Sequence, residues 1–338
     1  MTGGAILAFS SQAPHRIVVN PRRPMARTIT VRAAGRTAIG GGTATGGGTA
    51  SGVGTPSGSG TTPSTTPGSS TTSLFKSGAS ASFARLARSL PGQIELAATP
   101  LGGAGSTVVF GGDAPAHGWS TTKVLVLVSL LRARGAAGLT AQESAWARAA
   151  ITESDNQSIL DLFGDLETAQ GGLVGASTYM DGVLRASGDS VTTVTTAPPP
   201  PYASTTFGQT AWSPGEAVKF FGALGRGCLL PASQGDYVLG LMQEIVPSES
   251  WGLGSAGFTV PVAFKDGWGP QPSGSYLVRQ SGIIDVGSSR GVVVAIVAFP
   301  DGAGETSFTT GTDMLTETAQ WLRRELLLTP HQRVACPA

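Results

Sequence analysis

The sequence predicts an α/β (α+β) fold in which a block of helices is inserted into one sheet. A helical pattern and two short strands come first, within residues 75–110. Helical patterns follow within residues 120–245, and glycine turns separate three strands within residues 260–299. Strands near both ends of a domain, with helices between them, are typical of a sheet that carries a helical insertion.

Residues 1–74 are predicted to be a disordered tether. This segment is rich in Gly, Ser, Thr and Pro, and it buries too little apolar surface to offset the entropy of ordering the chain. No apolar stretch of sufficient length follows its arginines, so its start does not read as a conventional signal peptide. We expect one folded domain over residues 75–330 and a C-terminal tail over residues 331–338.

The overall composition argues against several classes of function. Hydrophobic residues make up 40% of the chain and charged residues 13%, with a formal net charge of +1. No basic cluster is interleaved with aromatic residues, so we expect no nucleic-acid partner. No apolar run reaches the roughly 18 residues that span a bilayer, so we expect no integral membrane span. The three histidines have no second ligand at a useful spacing, and we expect no metal, no cofactor and a monomer.

The first elements follow from apolar spacing and turn residues. Phe83, Leu86 and Leu90 have helical spacing, and a Pro-Gly pair ends that helix. Residues 93–99 and 106–110 are predicted strands on either side of a glycine-containing turn.

An apolar run over residues 124–131 predicts a buried helix, because its members recur at i, i+3, i+4 and i+7. This helix is expected to stop near Gly135. Thr140 and Glu143 then form a predicted capping box, which opens a helix that runs to about Thr152.

The middle of the chain continues mainly in helices. A polar break at 153–157 precedes them, and a run of four prolines at 198–201 forces an extended loop. Ser213 as N-cap and Pro214 at the first helical position mark another helix start. The predicted helices cover residues 158–166, 176–186, 214–224 and 233–245.

The last third predicts three antiparallel strands and one helix. The predicted strands cover residues 260–265, 275–286 and 291–299. Each either alternates between apolar and polar residues or is apolar throughout, and glycine turns separate them. An amphipathic helix over residues 314–327 closes the domain.

Three short motifs are candidates for chemistry. They are Ser120-Thr-Thr-Lys123 at the start of a helix, Ser154-Asp-Asn156 between helices, and Lys265-Asp-Gly267 at the end of a strand. Residues three apart share a helix face, so the first motif pairs a hydroxyl with an amine. A helix start also offers unpaired N–H groups that could receive an oxyanion.

A serine hydroxyl needs a base to become a nucleophile, and Lys123 could serve as that base. It would have to be neutral part of the time, and both burial and a nearby Lys265 would lower its pKa. A Ser-His-Asp triad is disfavoured, because His15 and His331 lie in predicted tails and His117 falls just before the helix.

Together the three motifs resemble the class A β-lactamase and penicillin-binding protein superfamily, whose motifs are S-x-x-K, S-D-N and K-T-G. The resemblance covers roughly residues 74–328 in element order. It implies a β-lactamase-like fold, with an antiparallel five-stranded sheet flanked by N- and C-terminal helices plus a small all-helical lobe.

The resemblance also implies roles for the motif residues. Ser120 would be the nucleophile, Lys123 its base and Ser154 the proton shuttle to the leaving group. The backbone N–H groups of Ser120 and Trp268 would form the oxyanion hole. The implied substrate-binding residues are Asn156, Lys265, Gly267 and Trp268.

The Lys-Asp-Gly-Trp form of the third motif is similar to that of β-lactamase-related serine hydrolases of actinobacterial envelopes. This likeness implies an acyl-enzyme formed on an amide or ester, either a small molecule or a peptidoglycan-like peptide. It also implies a secreted or cell-envelope location.

Two departures from the family pattern argue against efficient β-lactam hydrolysis. Asp266 stands where the family carries Thr or Ser, and a carboxylate there would repel the carboxylate of a penicillin. The loop that supplies the deacylating glutamate in class A enzymes contains no acid over residues 190–215, and only Asp189 and Glu216 flank it.

Each motif also has a plainer interpretation. Ser120 could be only an N-cap, residues 154–156 only a helix-breaking turn, and residues 265–267 only a hairpin turn, since Asp-Gly favours hairpins. The alternative function is therefore a non-catalytic binding or scaffold domain of the cell envelope. Cys228 and Cys336 would pair in a secreted protein and would stay as thiols in the cytosol.

Overall fold

The computed structural model describes residues 73–103 and 105–337 of the chain. The predicted tether falls almost entirely on residues 1–72, which lie outside the described residues. The helices are α1 (Ala79–Ser89), α2 (Thr122–Arg134), α3 (Ala141–Thr152), α4 (Asn156–Gln170), α5 (Leu173–Ser187), α6 (Pro214–Gly225), α7 (Ala232–Gln243) and α8 (Gly304–Glu325). The strands are β1 (Gly92–Pro100), β2 (Val108–Phe110), β3 (Ala116–His117), β4 (Ala211–Trp212), β5 (Val262–Pro270), β6 (Tyr276–Ile284) and β7 (Val292–Pro300).

Five of these strands form one antiparallel sheet, in the order β2-β1-β7-β6-β5. The predicted five-stranded antiparallel sheet and the mixed α/β class are thereby confirmed. Strand β5 lies at one edge of the sheet, so one side of it is free to face other elements. The short strands β3 and β4 pair separately and bring residue 117 beside residue 211.

Apolar cores cover both faces of the sheet. Ala97, Ala295 and Ile283 face the helices between β2 and β5, whereas the neighbouring Leu96 and Ile296 face α1 and α8. A sheet buried on both faces gives strands that are apolar throughout, which explains the continuous apolar run of β7. Helix α2 is buried on all sides, because it lies between the sheet and the other helices of the insertion.

Several local predictions agree with the structure. The Thr140 side chain accepts a hydrogen bond from the Glu143 N–H, and the Glu143 side chain accepts one from the Thr140 N–H, which confirms the capping box. Ser213 caps α6 by accepting from the N–H of Glu216, with Pro214 at the first helical position. These motifs involve residues within one helical turn, so no distant contact is needed to form them.

Other local predictions are wrong, one because of strand pairing and one because of a helix cap inside the predicted polar break. Lys265-Asp-Gly267 does not end a strand and is not a hairpin turn, because β5 continues to Pro270 and remains paired with β6. The turn between these strands instead spans residues 271–275. Helix α4 begins at Asn156, inside the predicted polar break, since Asp155 caps it through the N–H of Ser158.

The last helix, α8, starts ten residues before its predicted start at residue 314. Its first turns carry many threonines and glycines, which weaken the apolar pattern over that part of the helix. Among the described residues, none of the helices is both long and apolar enough to cross a membrane.

A disulfide attaches the C-terminal residues to the domain. Cys228, just after α6, is bonded to Cys336, which confirms the pairing expected for a secreted protein. The N–H of His331 donates to the carbonyl of Ser289, and the N–H of Val334 donates to the carbonyl of Gly102. The residues predicted as a tail therefore pack against the end of β1 and the β6–β7 turn.

Reducing this disulfide is expected to lower the free energy of unfolding by about 2–5 kcal/mol, because the bond closes a long loop in the unfolded chain. The two cysteines are 108 residues apart. Urea unfolding with and without dithiothreitol measures the loss. A Cys228→Ser/Cys336→Ser variant is the control, since dithiothreitol should leave its stability unchanged.

Candidate active site

Ser120 lies on a short 3₁₀ turn, Trp119–Thr121, that precedes α2. The side chain of Ser120 forms no cap for α2, whose N-cap position is Thr121. Trp119 has a φ of 46°, in the left-handed region that a bulky side chain rarely adopts. Such strain costs on the order of 1–3 kcal/mol and persists where surrounding contacts impose it, often at functional sites.

Strand β5 supplies those contacts, because two of its glycines allow the turn to lie against it. A Cβ added at Gly267 would lie 2.8 Å from the Ser120 nitrogen, and one added at Gly269 would lie 2.2 Å from the Trp119 ring. Both approaches are closer than a real Cβ tolerates. The free edge of the sheet thus fixes the backbone position of Ser120.

The Lys123 side chain lies beneath this turn and is only 1% exposed. Its amine donates to the carbonyl oxygen of Ser154, to Asn156 Oδ1 at 2.8 Å and to the Asp155 carbonyl at 3.3 Å. Ser154 Oγ is 3.4 Å away. The hydrogen bonds of the described residues include none between Lys123 Nζ and Ser120 Oγ. The residues of the second motif, Ser154-Asp-Asn156, therefore hold the amine of Lys123, which belongs to the first motif.

Burial, and then the nearby charge of Lys265, lower the pKa of Lys123 to about 7. The carboxylates of Asp266, Asp155 and Glu249 act in the opposite direction. This agrees with the expectation that burial and a second cation would favour the neutral amine. A lysine that titrates near neutrality can exchange protons at physiological pH.

Ser154 is the second strained residue, with a φ of 57°. Its carbonyl and hydroxyl both point at Lys123, and the following residues start α4. The amide of Asn156 is shared, since Oδ1 accepts from Lys123 and Nδ2 donates to Ser204 Oγ at 3.3 Å. Ser204 belongs to the loop between α5 and β4, which therefore closes one side of the site.

These groups surround a cavity of about 210 Å³ beside Ser120. Of the sequence-predicted residues, four line it: Ser120, Ser154, Asn156 and Trp268. The other lining residues are Trp119, Tyr202, Ser204, Thr205, Gly269, Pro270 and Tyr276. Lys123, Lys265 and Gly267 lie behind this lining, so three sequence-predicted residues support the cavity without forming its surface.

Lys265 and Asp266 form a buried ion pair on β5. Both side chains are fully buried, and Lys265 Nζ lies 2.9 Å from Asp266 Oδ1. The other oxygen of Asp266 and Glu249 Oε2 are buried without a hydrogen-bond partner in the described structure. Burial, and then the charge of Asp266, raise the pKa of Glu249 to about 7. A raised pKa favours the protonated form of Glu249 beside the ion pair.

Neither acid that flanks the α5–β4 loop lines the cavity. Asp189 is fully buried, where it accepts hydrogen bonds from Trp212 Nε1 and from the N–H groups of Val191 and Thr192. Burial, and then the neighbouring Asp189, raise the pKa of Glu216, which pairs with Lys219 at 2.6 Å. The two acids therefore hold the base of the loop, and Ser204 and Thr205 occupy its cavity-facing part.

The three-dimensional arrangement is similar to known enzyme structures, although the sequence is not. No protein-family model matches the sequence, and no curated protein matches it. A class A β-lactamase from Mycobacterium abscessus superposes with a TM-score of 0.55 at 18% identity, over 73% of this chain and 98% of that chain. This chain has the fold of the class A β-lactamases.

Two further β-lactamase structures agree with this fold. The TLA-3 extended-spectrum β-lactamase has a TM-score of 0.57 at 12% identity, over 72% of this chain and 98% of that chain. An ancestral class A β-lactamase has a TM-score of 0.55 at 18% identity, over 73% of this chain and 99% of that chain. At sequence identities this low, the similarity supports a shared fold and no conclusion about activity.

Within this β-lactamase fold, sequence reasoning missed two charged residues, the buried Arg279 and the half-buried Glu249. Arg279 on β6 lies opposite Gly267 and donates from Nη1 to the carbonyls of Ala116, His117 and Trp212. Its charge in the middle of an apolar strand was a signal that could have identified it. The sequence around Glu249 contains no such signal, because this residue follows an ordinary Pro-Ser pair. Only the folded chain brings Glu249 close to Asp266.

The cavity-lining residues of the α5–β4 loop were also missed. The loop is recognisable in the sequence by its prolines, but which of its residues face Ser120 depends on how it folds against α4. The described residues contain no group of three or more His, Cys, Asp or Glu that could hold a metal ion.

Proposed function

We propose that this chain is a serine hydrolase or acyl-transferase that forms an acyl-enzyme at Ser120 through a Ser-Lys mechanism. The observation that carries the proposal is the buried Lys123, one helical turn from Ser120, with a pKa lowered to about 7. In the reaction, Lys123 takes the proton of Ser120. The Ser154 hydroxyl, whose Oγ lies 3.4 Å from Lys123 Nζ, gives its proton to the leaving group and receives one from the Lys123 ammonium. The N–H groups of Ser120 and Trp268 receive the oxyanion.

The substrate is an amide or ester, and a peptidoglycan-like peptide fits this class. The cavity beside Ser120 combines the indole of Trp268, the phenols of Tyr202 and Tyr276, and the amide of Asn156. Aromatic faces with a few polar groups suit a neutral peptide-like chain. Lys265, the family's electrostatic anchor, is buried against Asp266 and has no surface in the cavity. A substrate that depends on a carboxylate anchor, such as a penicillin, therefore fits poorly.

The same site is expected to deacylate slowly with water. The cavity-facing part of the α5–β4 loop carries Ser204 and Thr205, where a deacylating carboxylate would be needed. Without a carboxylate base, the acyl-enzyme persists until an amine or hydroxyl acceptor attacks it. This favours acyl transfer over efficient β-lactam hydrolysis. We place the enzyme in the secreted or cell-envelope fraction, because the Cys228–Cys336 disulfide suits an oxidising compartment.

Covalent labelling tests the proposal directly. Incubation with a fluorophosphonate is expected to add one adduct to Ser120, measured by intact-mass and peptide mass spectrometry, because the probe needs only an activated serine. A penicillin is expected to give little or no adduct. Ser120→Ala should abolish labelling, whereas Ser144→Ala, on the surface of α3, should leave it unchanged.

A second candidate is a non-catalytic binding domain with the same fold. It is favoured by the missing hydrogen bond between Ser120 Oγ and Lys123 Nζ and by the absence of acids from the cavity lining. A folded protein that gives no adduct with the fluorophosphonate, yet binds a peptidoglycan-like peptide equally well as wild type and as Ser120→Ala, would support this candidate and reject the enzyme.

A further inference from the structure

A second and larger cavity, of about 390 Å³, lies away from Ser120. It is bounded by the end of β1, by α6 and α7, by the β6–β7 turn and by the C-terminal residues. None of its lining residues is shared with the Ser120 cavity. Leu101, Leu224 and Leu239 supply apolar surface from three different elements.

The C-terminal residues complete this cavity. His331 and Arg333 belong to its lining, and the hydrogen bonds to Ser289 and Gly102 together with the disulfide keep them in position. The end of the chain thus forms part of the cavity wall. A volume of this size is typical of small-molecule sites.

The polar groups of this second cavity are mainly cationic. Arg226 is half-buried beside Arg333, whose guanidinium donates to the Arg226 carbonyl. The salt bridges of the described residues include none made by either arginine. Arg226 Nε and His331 Nε2 are buried and have no partner there. Burial and the charge of Arg333 lower the pKa of Arg226, which indicates that this positive charge is not compensated.

The acid in this lining, Asp236, is exposed and forms no ion pair with either arginine in the described structure. The described structure supplies the carbonyls of Leu101 and Arg226 as acceptors for these guanidiniums, but no carboxylate. An anion bound between them would therefore gain charge-assisted hydrogen bonds and compensate their charge. The three leucines would take an apolar body attached to that anion.

We propose that this second cavity binds an organic carboxylate with an apolar chain, held by Arg226 and Arg333, with His331 in the same wall. The headgroup lies between the guanidiniums and near His331, and the chain contacts Leu101, Leu224 and Leu239. Binding at this site does not involve Ser120, so it is expected whether or not Ser120 is a nucleophile.

Calorimetric titration of the full chain with octanoate tests this proposal. Octanoate is expected to bind, whereas acetate, which lacks the chain, and octylammonium, which has the opposite charge, are expected not to bind. Arg226→Met and Arg333→Gln should each weaken octanoate binding about tenfold, the loss typical of one charge-assisted hydrogen bond. Arg333 is exposed, so its variant should fold even if Arg226→Met does not.

Two further variants sharpen the test. Asp236→Asn is expected to tighten octanoate binding, because it removes the negative charge from the lining. Ser120→Ala is expected to bind octanoate as wild type does. No detectable binding of octanoate at millimolar concentration, equal binding of octylammonium, or an unchanged affinity in Arg333→Gln would each overturn the proposal.

Discussion

Replacing Lys123 by methionine is expected to slow acylation of Ser120 by about 10²–10⁴-fold, the usual contribution of a general base. Methionine has nearly the length of lysine and suits the buried position, so the loss reports on the amine and not on packing. The rate of fluorophosphonate labelling, followed by intact mass, measures the effect. Lys219→Met is the matched control, because Lys219 lies on α6 and pairs with Glu216 away from the cavity.

The pH dependence of the same rate gives a second readout. Only neutral Lys123 can accept a proton, and its pKa is lowered to about 7 by burial and by Lys265. Acylation should therefore be level above about pH 7 and fall about tenfold for each pH unit below it. An unchanged rate in Lys123→Met, or a profile that is flat between pH 5 and pH 8, would exclude Lys123 as the base.

Replacing Asp266 by alanine is expected to lower the free energy of unfolding by about 3–5 kcal/mol, which is typical when one partner of a buried ion pair is removed. Lys265 has no exposed surface, so its charge would remain buried without its nearest carboxylate. Glu249 would lose the neighbouring carboxyl group that raises its pKa in the same variant. Urea unfolding at neutral pH measures the loss.

A double variant separates the ion pair from simple loss of packing. Lys265→Met/Asp266→Ala removes both charges and is expected to recover much of the stability lost in Asp266→Ala. Asp301→Ala, at an exposed position, is the control for loss of an aspartate. If Asp266→Ala cost no more than Asp301→Ala, the buried pair would not contribute to stability as the geometry indicates.

The ion pair also changes the interpretation of Asp266. From the sequence, its carboxylate was expected to repel an anionic substrate inside the cavity. In the structure the Asp266 side chain is fully buried, where it pairs with Lys265 and lies near Glu249. The expected consequence for a penicillin is the same, but the cause is the removal of a cationic anchor from the cavity surface.

The sequence by itself determined the features that depend on neighbouring residues. The capping box at Thr140, the N-cap at Ser213 and the buried helix after Lys123 all follow from patterns within a few residues. The order of the elements was enough to predict a sheet with a helical insertion, and the resemblance carried by the three motifs implied that this sheet is five-stranded and antiparallel. The order of the three motifs was enough to indicate which serine and which lysine lie near each other.

Only the tertiary structure decided the features that join distant parts of the chain. It continued β5 through Lys265-Asp-Gly267, since pairing with β6 outweighed the local Asp-Gly turn preference. It brought Glu249 to Asp266, Ser204 to Asn156, and the C-terminal residues to the second cavity. The physical reason is that burial and charge at these positions come from residues far apart in sequence. Contacts of this kind produce no periodic pattern or motif in the neighbouring sequence.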